Sequence, residues 1–143
     1  MLIRPASEAD LTDVINLLNY MDGEEGIDED KAQEIWRKIS DYPYYKVFVA
    51  EAKQKIVATC SLIIIENLGH QGAKLALAEG MIVSPEYRGC GLGRQLMQFV
   101  LEQAKKENCY KLMLSSNKKR VEAHNFYLRQ GFQQHGISFM IDV

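Results

Sequence analysis

The sequence predicts an α/β fold with a mixed sheet, its elements running in the order βααβββαβαββ. Three observations carry that prediction. Apolar residues recur at helical spacing in four segments, and strand-like runs lie before, between and after them. The 143 residues suit a single core, and a chain that is 47% hydrophobic and 25% charged has the make-up of a globular protein. No internal repeat, low-complexity stretch or linker interrupts the pattern, so residues 1–143 are expected to form one domain.

The elements follow in chain order. Residues 2–4 are a short apolar start, expected to be a strand. Ser7 is a good helix N-cap, with Asp10 three positions on in the place of the usual Glu. Leu11, Val14, Ile15, Leu18 and Met21 then keep helical spacing, and this helix should end near Asp22 and Gly23. Residues 22–30 carry six acidic side chains in nine, with Gly23 and Gly26, and read as a loop. Ile35, Trp36 and Ile39 put a second helix over residues 31–39, broken at Asp41-Tyr42-Pro43. The period then becomes strand-like. Residues 45–51 and 55–66 flank a polar turn at Lys53-Gln54-Lys55 and predict a β-hairpin. Residues 67–72 are a loop, and residues 75–83 a strand stopped by Ser84-Pro85. Residues 91–107 form an amphipathic helix with Leu92, Leu96, Met97, Val100, Leu101 and Ala104 inward. A strand over 110–115 and a helix over 120–130, closed by Gly131, come next. Two short strands, 132–134 and 137–141, are expected to finish the chain.

Composition excludes several function classes. The longest apolar run, residues 62–65, is far short of the roughly 18–20 residues of a membrane span. The N-terminus lacks the apolar stretch of a signal peptide, which makes a cytoplasmic protein the expectation, with no membrane partner. Cys60, Cys90 and Cys109 are an odd count at unrelated spacings, so neither a disulfide framework nor a metal site is expected. His70 and His124 are isolated and read as loop or packing residues. A net charge of −2 argues against nucleic acid as a partner. The charge is unevenly spread. Residues 1–72 hold 7 Lys and Arg against 13 Asp and Glu, and residues 73–143 hold 10 against 6. An anionic ligand would favour the second half, a cationic one the first.

The most informative stretch is Val83-Ser84-Pro85-Glu86-Tyr87-Arg88-Gly89-Cys90-Gly91-Leu92-Gly93-Arg94, between a predicted strand and a predicted helix. Glycines let the backbone turn sharply and come close to a ligand. The N–H groups at a helix start face outward, where the macrodipole favours negative charge, and Arg88 and Arg94 add formal positive charge. In physical terms this is a pyrophosphate cradle. The dinucleotide spacing G-x-G-x-x-G and the Gly-Lys-Ser/Thr of a P-loop are both absent.

Arg88-Gly89-Cys90-Gly91-Leu92-Gly93 resembles the R/Q-x-x-G-x-G/A signature of the GNAT superfamily of N-acetyltransferases. Arg120-Val121-Glu122-Ala123-His124-Asn125-Phe126-Tyr127, followed by Gly131-Phe132, resembles the second conserved block of the same superfamily, A-x-x-F-Y-x-x-x-G-F. The element order is also similar, so the resemblance covers nearly the whole chain. It implies the GNAT fold, a mixed and mostly antiparallel sheet flanked by helices. It also implies an acetyl-CoA-dependent N-acetyltransferase acting on the primary amine of a small molecule by direct transfer. Acetyl-CoA would serve as acetyl donor and no metal would be needed. The last 30 residues also resemble the aminoalkylphosphonate N-acetyltransferases. Many relatives form homodimers, which the resemblance admits here. A protein lysine or N-terminal acetyltransferase, and a non-catalytic acyl-CoA-binding regulatory module, are the alternatives.

The resemblance maps onto individual residues. Arg88, Gly89, Cys90, Gly91, Leu92 and Gly93, with Arg94 beside them, would bind the pyrophosphate of coenzyme A. Met81, Ile82 and Val83 would pair through their backbone with the pantetheine arm. The N–H of Met81, or else of Ile82, would support the thioester oxygen. Tyr127 matches the tyrosine that protonates the departing thiolate, a role that suits a phenol, whose unperturbed pKa is near 10. Its alternative is a core aromatic beside Phe126. Glu79, on the strand beside the expected thioester, would be the general base, with Glu66 as second candidate; the alternative for Glu79 is a carboxylate paired with a lysine. Many members place an asparagine seven positions before the tyrosine. Here that position is Arg120, with Asn117 three residues earlier, so Asn117 is the candidate for pantetheine and Arg120 for a phosphate.

Overall fold

A computed structural model describes the whole chain except Glu24 and Glu25. Two compact units make it up, Met1–Met113 and Leu114–Val143.

The first unit is built on five strands in the spatial order β1-β2-β3-β4-β5. These are β1 (Leu2–Pro5), β2 (Tyr45–Ala52), β3 (Lys55–Ile65), β4 (Lys74–Val83) and β5 (Cys109–Met113). The first four pair antiparallel and β5 joins β4 in parallel, so the sheet is mixed as expected. Three helices accompany it: α1 (Leu11–Asp22), α2 (Glu29–Ser40) and α3 (Leu92–Lys106). Successive strand residues point to opposite faces, and β2 shows what each face meets. Val47 and Val49 cluster with Val14 of α1, with Trp36 of α2 packed against them. Phe48, between them, meets Phe99 of α3 edge to face at 5.2 Å. Leu62, Leu92, Leu96, Val49 and Val100 are among the fully buried side chains. The buried hydroxyl of Thr59 donates to the Phe48 carbonyl at 3.1 Å, so the polar group in this core is satisfied.

Local chemistry explains the joints. Ser7 and Asp10 form a capping box on the short 3-10 turn Glu8–Asp10 that leads into α1, with the Ser7 N–H donating to the Asp10 carboxylate at 2.7 Å. α2 begins at Glu29, two residues before the predicted start, because the Asp28 side chain accepts the Lys31 N–H at 2.8 Å and caps the helix there. The hairpin turn is Lys53-Gln54, with φ of +50° and +62°. Two successive left-handed residues match the right-handed twist of the flanking strands. In α3 the predicted inward residues Leu92, Leu96, Met97, Val100 and Ala104 are buried, and Leu101 is half-buried.

The second unit holds α4 (Val121–Arg129), which ends before Gly131 at φ +88°. The two closing strands expected over residues 132–134 and 137–141 are not formed. Alternating apolar residues mark a segment fit for a strand, but a ladder partner makes it one. Among the described residues none pairs with this segment, and Ile137, Phe139, Met140 and Ile141 are exposed. No helix is long and apolar enough to cross a membrane.

Candidate functional site

β4 carries the first half of the site. Thr59 of β3 faces Ile82 and Ser61 faces Glu79, so the single residue Cys60 lies opposite two, Gly80 and Met81. This is a β-bulge, with Gly80 as its left-handed residue at φ +60°. A Cβ at Gly80 would also stand 3.0 Å from Leu18 Cδ2 of α1, so the left-handed backbone favours glycine and a side chain there would need Leu18 to shift. An isolated glycine in a strand pattern is a known signal of a bulge, and Gly80 is a position of the candidate site that the motif reading missed. The bulge takes Met81 out of one-to-one pairing with β3. On the other side of β4, pairing with β5 runs from Lys74 to Leu77 and stops. Among the described residues no strand covers residues 78–83 on that side. An extended ligand could therefore add to this edge as a strand would.

The second half follows directly. After Val83 the chain makes a single tight turn, Pro85–Tyr87, and reaches Arg88, whose Nε donates to the Val83 carbonyl at 3.1 Å. Gly89 and Gly91 have φ of +76° and +84°, and Gly91 is the N-cap of α3. Leu92, fully buried, fixes the start of the helix in the core. Gly93 and Arg94 lie in its first turn, where the N–H groups have no intrahelical partner. That turn contains no acidic residue. A Cβ on Gly89 or Gly91 would meet nothing within 4 Å, so the space beside these glycines is open. The Cys90 thiol is exposed and within 2.9 Å of the Tyr87 carbonyl.

The candidate bases differ. Glu79 is exposed, in register with Ser61, on the sheet face that meets α1. Glu66 faces Lys74 at 3.8 Å, so the lysine pairing weighed for Glu79 falls to Glu66 instead. Burial, reinforced by the nearby Glu79 charge, pushes the Cys60 thiol up to about 12. Burial also raises Cys109. Both thiols are therefore poor nucleophiles near neutrality. Among the described residues no group of three or more His, Cys, Asp and Glu is placed to hold a metal.

In the second unit Tyr127 is half-buried on α4, between the rings of Phe126 at 5.3 Å and Phe132 at 5.7 Å. The Phe132 N–H donates to the Tyr127 carbonyl at 3.1 Å, so the chain folds back after the helix. Asn117 is used locally: its Oδ1 accepts the Lys119 N–H at 2.9 Å, and its carbonyl lies 2.9 Å from His124 Nε2. Arg120 is exposed at the N-cap of α4.

Comparison with known proteins shows the family. Residues 12–132 match the acetyltransferase (GNAT) family, and the chain belongs to that family. Members of the family use acetyl-CoA as acetyl donor. The chain is 33% identical over 98 residues to glucosamine 6-phosphate N-acetyltransferase of Trypanosoma brucei brucei, covering 68% of this chain and 65% of that protein. It is 34% identical over 70 residues to aminoalkylphosphonate N-acetyltransferase of Salmonella typhimurium, covering 49% of this chain and 46% of that protein. The matched part thus spans about half to two thirds of these curated relatives. A solved acetyltransferase structure from Trypanosoma brucei superposes with a TM-score of 0.84 at 27% identity, over 99% of each chain. The fold implied by the two sequence motifs is the fold observed.

Proposed function

We propose that this protein is an acetyl-CoA-dependent N-acetyltransferase that transfers the acetyl group directly to a primary amine of a small molecule. One observation carries the reading: within a single strand, a glycine bulge and an uncovered edge lead straight into a glycine-rich helix start. These residues fit coenzyme A. The edge at Met81, Ile82 and Val83 would pair with the amides of the pantetheine arm. Arg88, Gly89, Cys90, Gly91, Leu92, Gly93 and Arg94 would hold the pyrophosphate; Asn117 and Arg120 are separate candidates, for pantetheine and for a phosphate. When bound, acetyl-CoA supplies an activated acetyl thioester.

The chain's own groups then divide the work. Met81 N–H donates to the carbonyl oxygen as negative charge gathers on it, with Ile82 as second candidate. Glu79, directly or through water, takes the proton that the amine must lose as its nitrogen bonds to the acetyl carbon. Tyr127 gives its hydroxyl proton to the sulfur as the C–S bond breaks. The raised thiol pKa of Cys60, and the place of Cys90 at the pyrophosphate end, favour direct transfer over an acyl-cysteine.

The same reading takes residues 1–143 as one N-acetyltransferase domain, cytoplasmic and independent of metal. It admits a homodimer, and Ile137, Phe139, Met140, Ile141 and Val143 lie exposed in the last seven residues.

Two measurements test the proposal. Acetyl-CoA at about 100 times its Kd should stabilise the protein by about 2.7 kcal/mol. Thiol release in the presence of a panel of amines, including amino sugars, polyamines, aminophosphonates and lysine peptides, should then identify an acceptor. Stabilisation with no thiol release from any amine would leave a non-catalytic acyl-CoA-binding module. Release with peptides alone would make it a protein acetyltransferase.

A further inference from the structure

Arg88 is held from two sides. Its Nε is bonded to the Val83 carbonyl at 3.1 Å, and its guanidinium lies over the ring of Tyr20 at 5.6 Å from the centroid. The Nε bond leaves both terminal nitrogens, with four N–H groups, for another partner. The ring lies at the guanidinium carbon and an anion would take the terminal N–H groups, so the two contacts do not compete. Tyr20 is 59% exposed, so its ring is not placed there to fill the core. It stands two residues after Leu18, the α1 side chain that approaches Gly80 of the bulge. The second half of α1 therefore touches both the bulge and the arginine of the glycine-rich turn.

We propose that Tyr20 is a positioning residue for recognition of the phosphate-bearing cosubstrate, holding the Arg88 guanidinium so that its edge faces the mouth of the glycine-rich turn. The inference rests on the acetyl-CoA reading of that turn. A free arginine loses much rotamer freedom when it clamps an anion. An arginine already fixed by Val83 and Tyr20 loses less, and the difference appears as affinity. An exposed cation–π contact of this kind corresponds to about two- to fivefold in a dissociation constant. Tyr20 lies on no recognised motif, and only its position over Arg88 marks it.

The experiment is calorimetric titration of coenzyme A into the wild type, Tyr20→Phe, Tyr20→Leu, Arg88→Ala and the double variant Arg88→Ala/Tyr20→Leu. Tyr20→Leu should raise Kd about two- to fivefold. Tyr20→Phe, which keeps the ring, should restore the wild-type value. In the Arg88→Ala background, Tyr20→Leu should have no further effect. In turnover assays KM for acetyl-CoA should follow Kd while kcat stays unchanged. An unchanged Kd in Tyr20→Leu, or an equal loss with and without Arg88, overturns the role of Tyr20 and leaves the acetyltransferase reading in place. Failure of coenzyme A to bind the wild type overturns both.

Discussion

Asp10 is among the most heavily bonded side chains of the first unit. Its carboxylate accepts both terminal nitrogens of Arg4, at 2.7 and 2.9 Å, and the Ser7 hydroxyl at 2.8 Å. The Arg4 guanidinium holds it well below the usual carboxylate range. The native state therefore resists its protonation more than the unfolded chain does. This contribution to stability is complete above about pH 4, the ordinary Asp value, and is lost as the pH falls from there towards the native value. Asp10→Asn should cost about 1–3 kcal/mol at neutral pH and flatten the acid limb of stability. Urea unfolding at stepped pH checks this, and parallel limbs in the two proteins would place the acid sensitivity elsewhere. Cys60 acts in the opposite sense. Its thiol is raised from 9.0 to about 12, so its contribution is present below pH 9 and lost as pH rises towards 12. For the proposed chemistry, the residue to test is Tyr127. Tyr127→Phe should lower kcat by about 10²–10³-fold and leave acetyl-CoA affinity near its wild-type value. A fall of less than about threefold would mean that water protonates the thiolate, and that Tyr127 only packs between Phe126 and Phe132.

Among the elements, the hairpin turn offers a direct test of backbone strain. Gln54 has φ +62° with a full side chain, which costs about 1–2 kcal/mol relative to glycine. Gln54→Gly should recover about 1 kcal/mol of that after the added freedom of the unfolded chain, measurable as a higher Tm. No change in Tm would show that neighbouring contacts already relieve the turn. The two glycine positions of the site behave differently. A Cβ at Gly91 meets no neighbour, so the cost expected for Gly91→Val is the strained φ and the lost approach of a ligand. The variant should fold with a lower Tm and lose its stabilisation by acetyl-CoA; an unchanged ligand shift would refute the pyrophosphate assignment. These cases also show what the sequence could reveal. Periodicity located the four helices and five observed strands, because each groups its apolar side chains on one face and that spacing survives in the sequence. The start of α2 depended on which of several acidic residues caps it, and only the Asp28–Lys31 bond decides that. The glycine-rich turn was legible because its chemistry is contiguous. The bulge left a trace in Gly80, but its register with Cys60 belongs to the paired strands. The closing strands were misjudged for the same reason, since alternation shows a willing strand and not its partner. Tyr20 was invisible, because an exposed helix tyrosine becomes informative only once Arg88 lies beneath it.

Across the whole molecule, charge is the property that bears on the acceptor. The first 72 residues hold 13 acidic against 7 basic side chains, and residues 22–30 concentrate six of those acids. Glu24 and Glu25 of that stretch lie outside the described residues, while Asp28 and Glu29 are the N-cap and first residue of α2. Near them, a cleft of about 340 Å³ between α1 and α2 has Glu8 and Glu29 in its lining and no lysine or arginine. A negative rim of this kind raises the local concentration of a cationic amine and disfavours an anionic one. It therefore weighs against a phosphorylated amino sugar or an aminophosphonate, although the relatives named above act on such compounds. The test must spare Asp28, because its carboxylate caps α2 and its loss would confuse stability with steering. The triple variant Glu24→Gln/Glu25→Gln/Glu29→Gln removes three charges and keeps the cap. If the rim steers, KM for a cationic acceptor should rise several-fold at low salt with kcat unchanged. The difference should fade near 0.15 M salt, where the screening length shortens to about 8 Å. A KM that does not move at low salt would make the acidic stretch a solvated bystander and return a neutral or anionic acceptor to first place. A KM that moves equally at all salt concentrations would mean direct contact with the acceptor, because a group touching its ligand is screened far less than one acting across solvent.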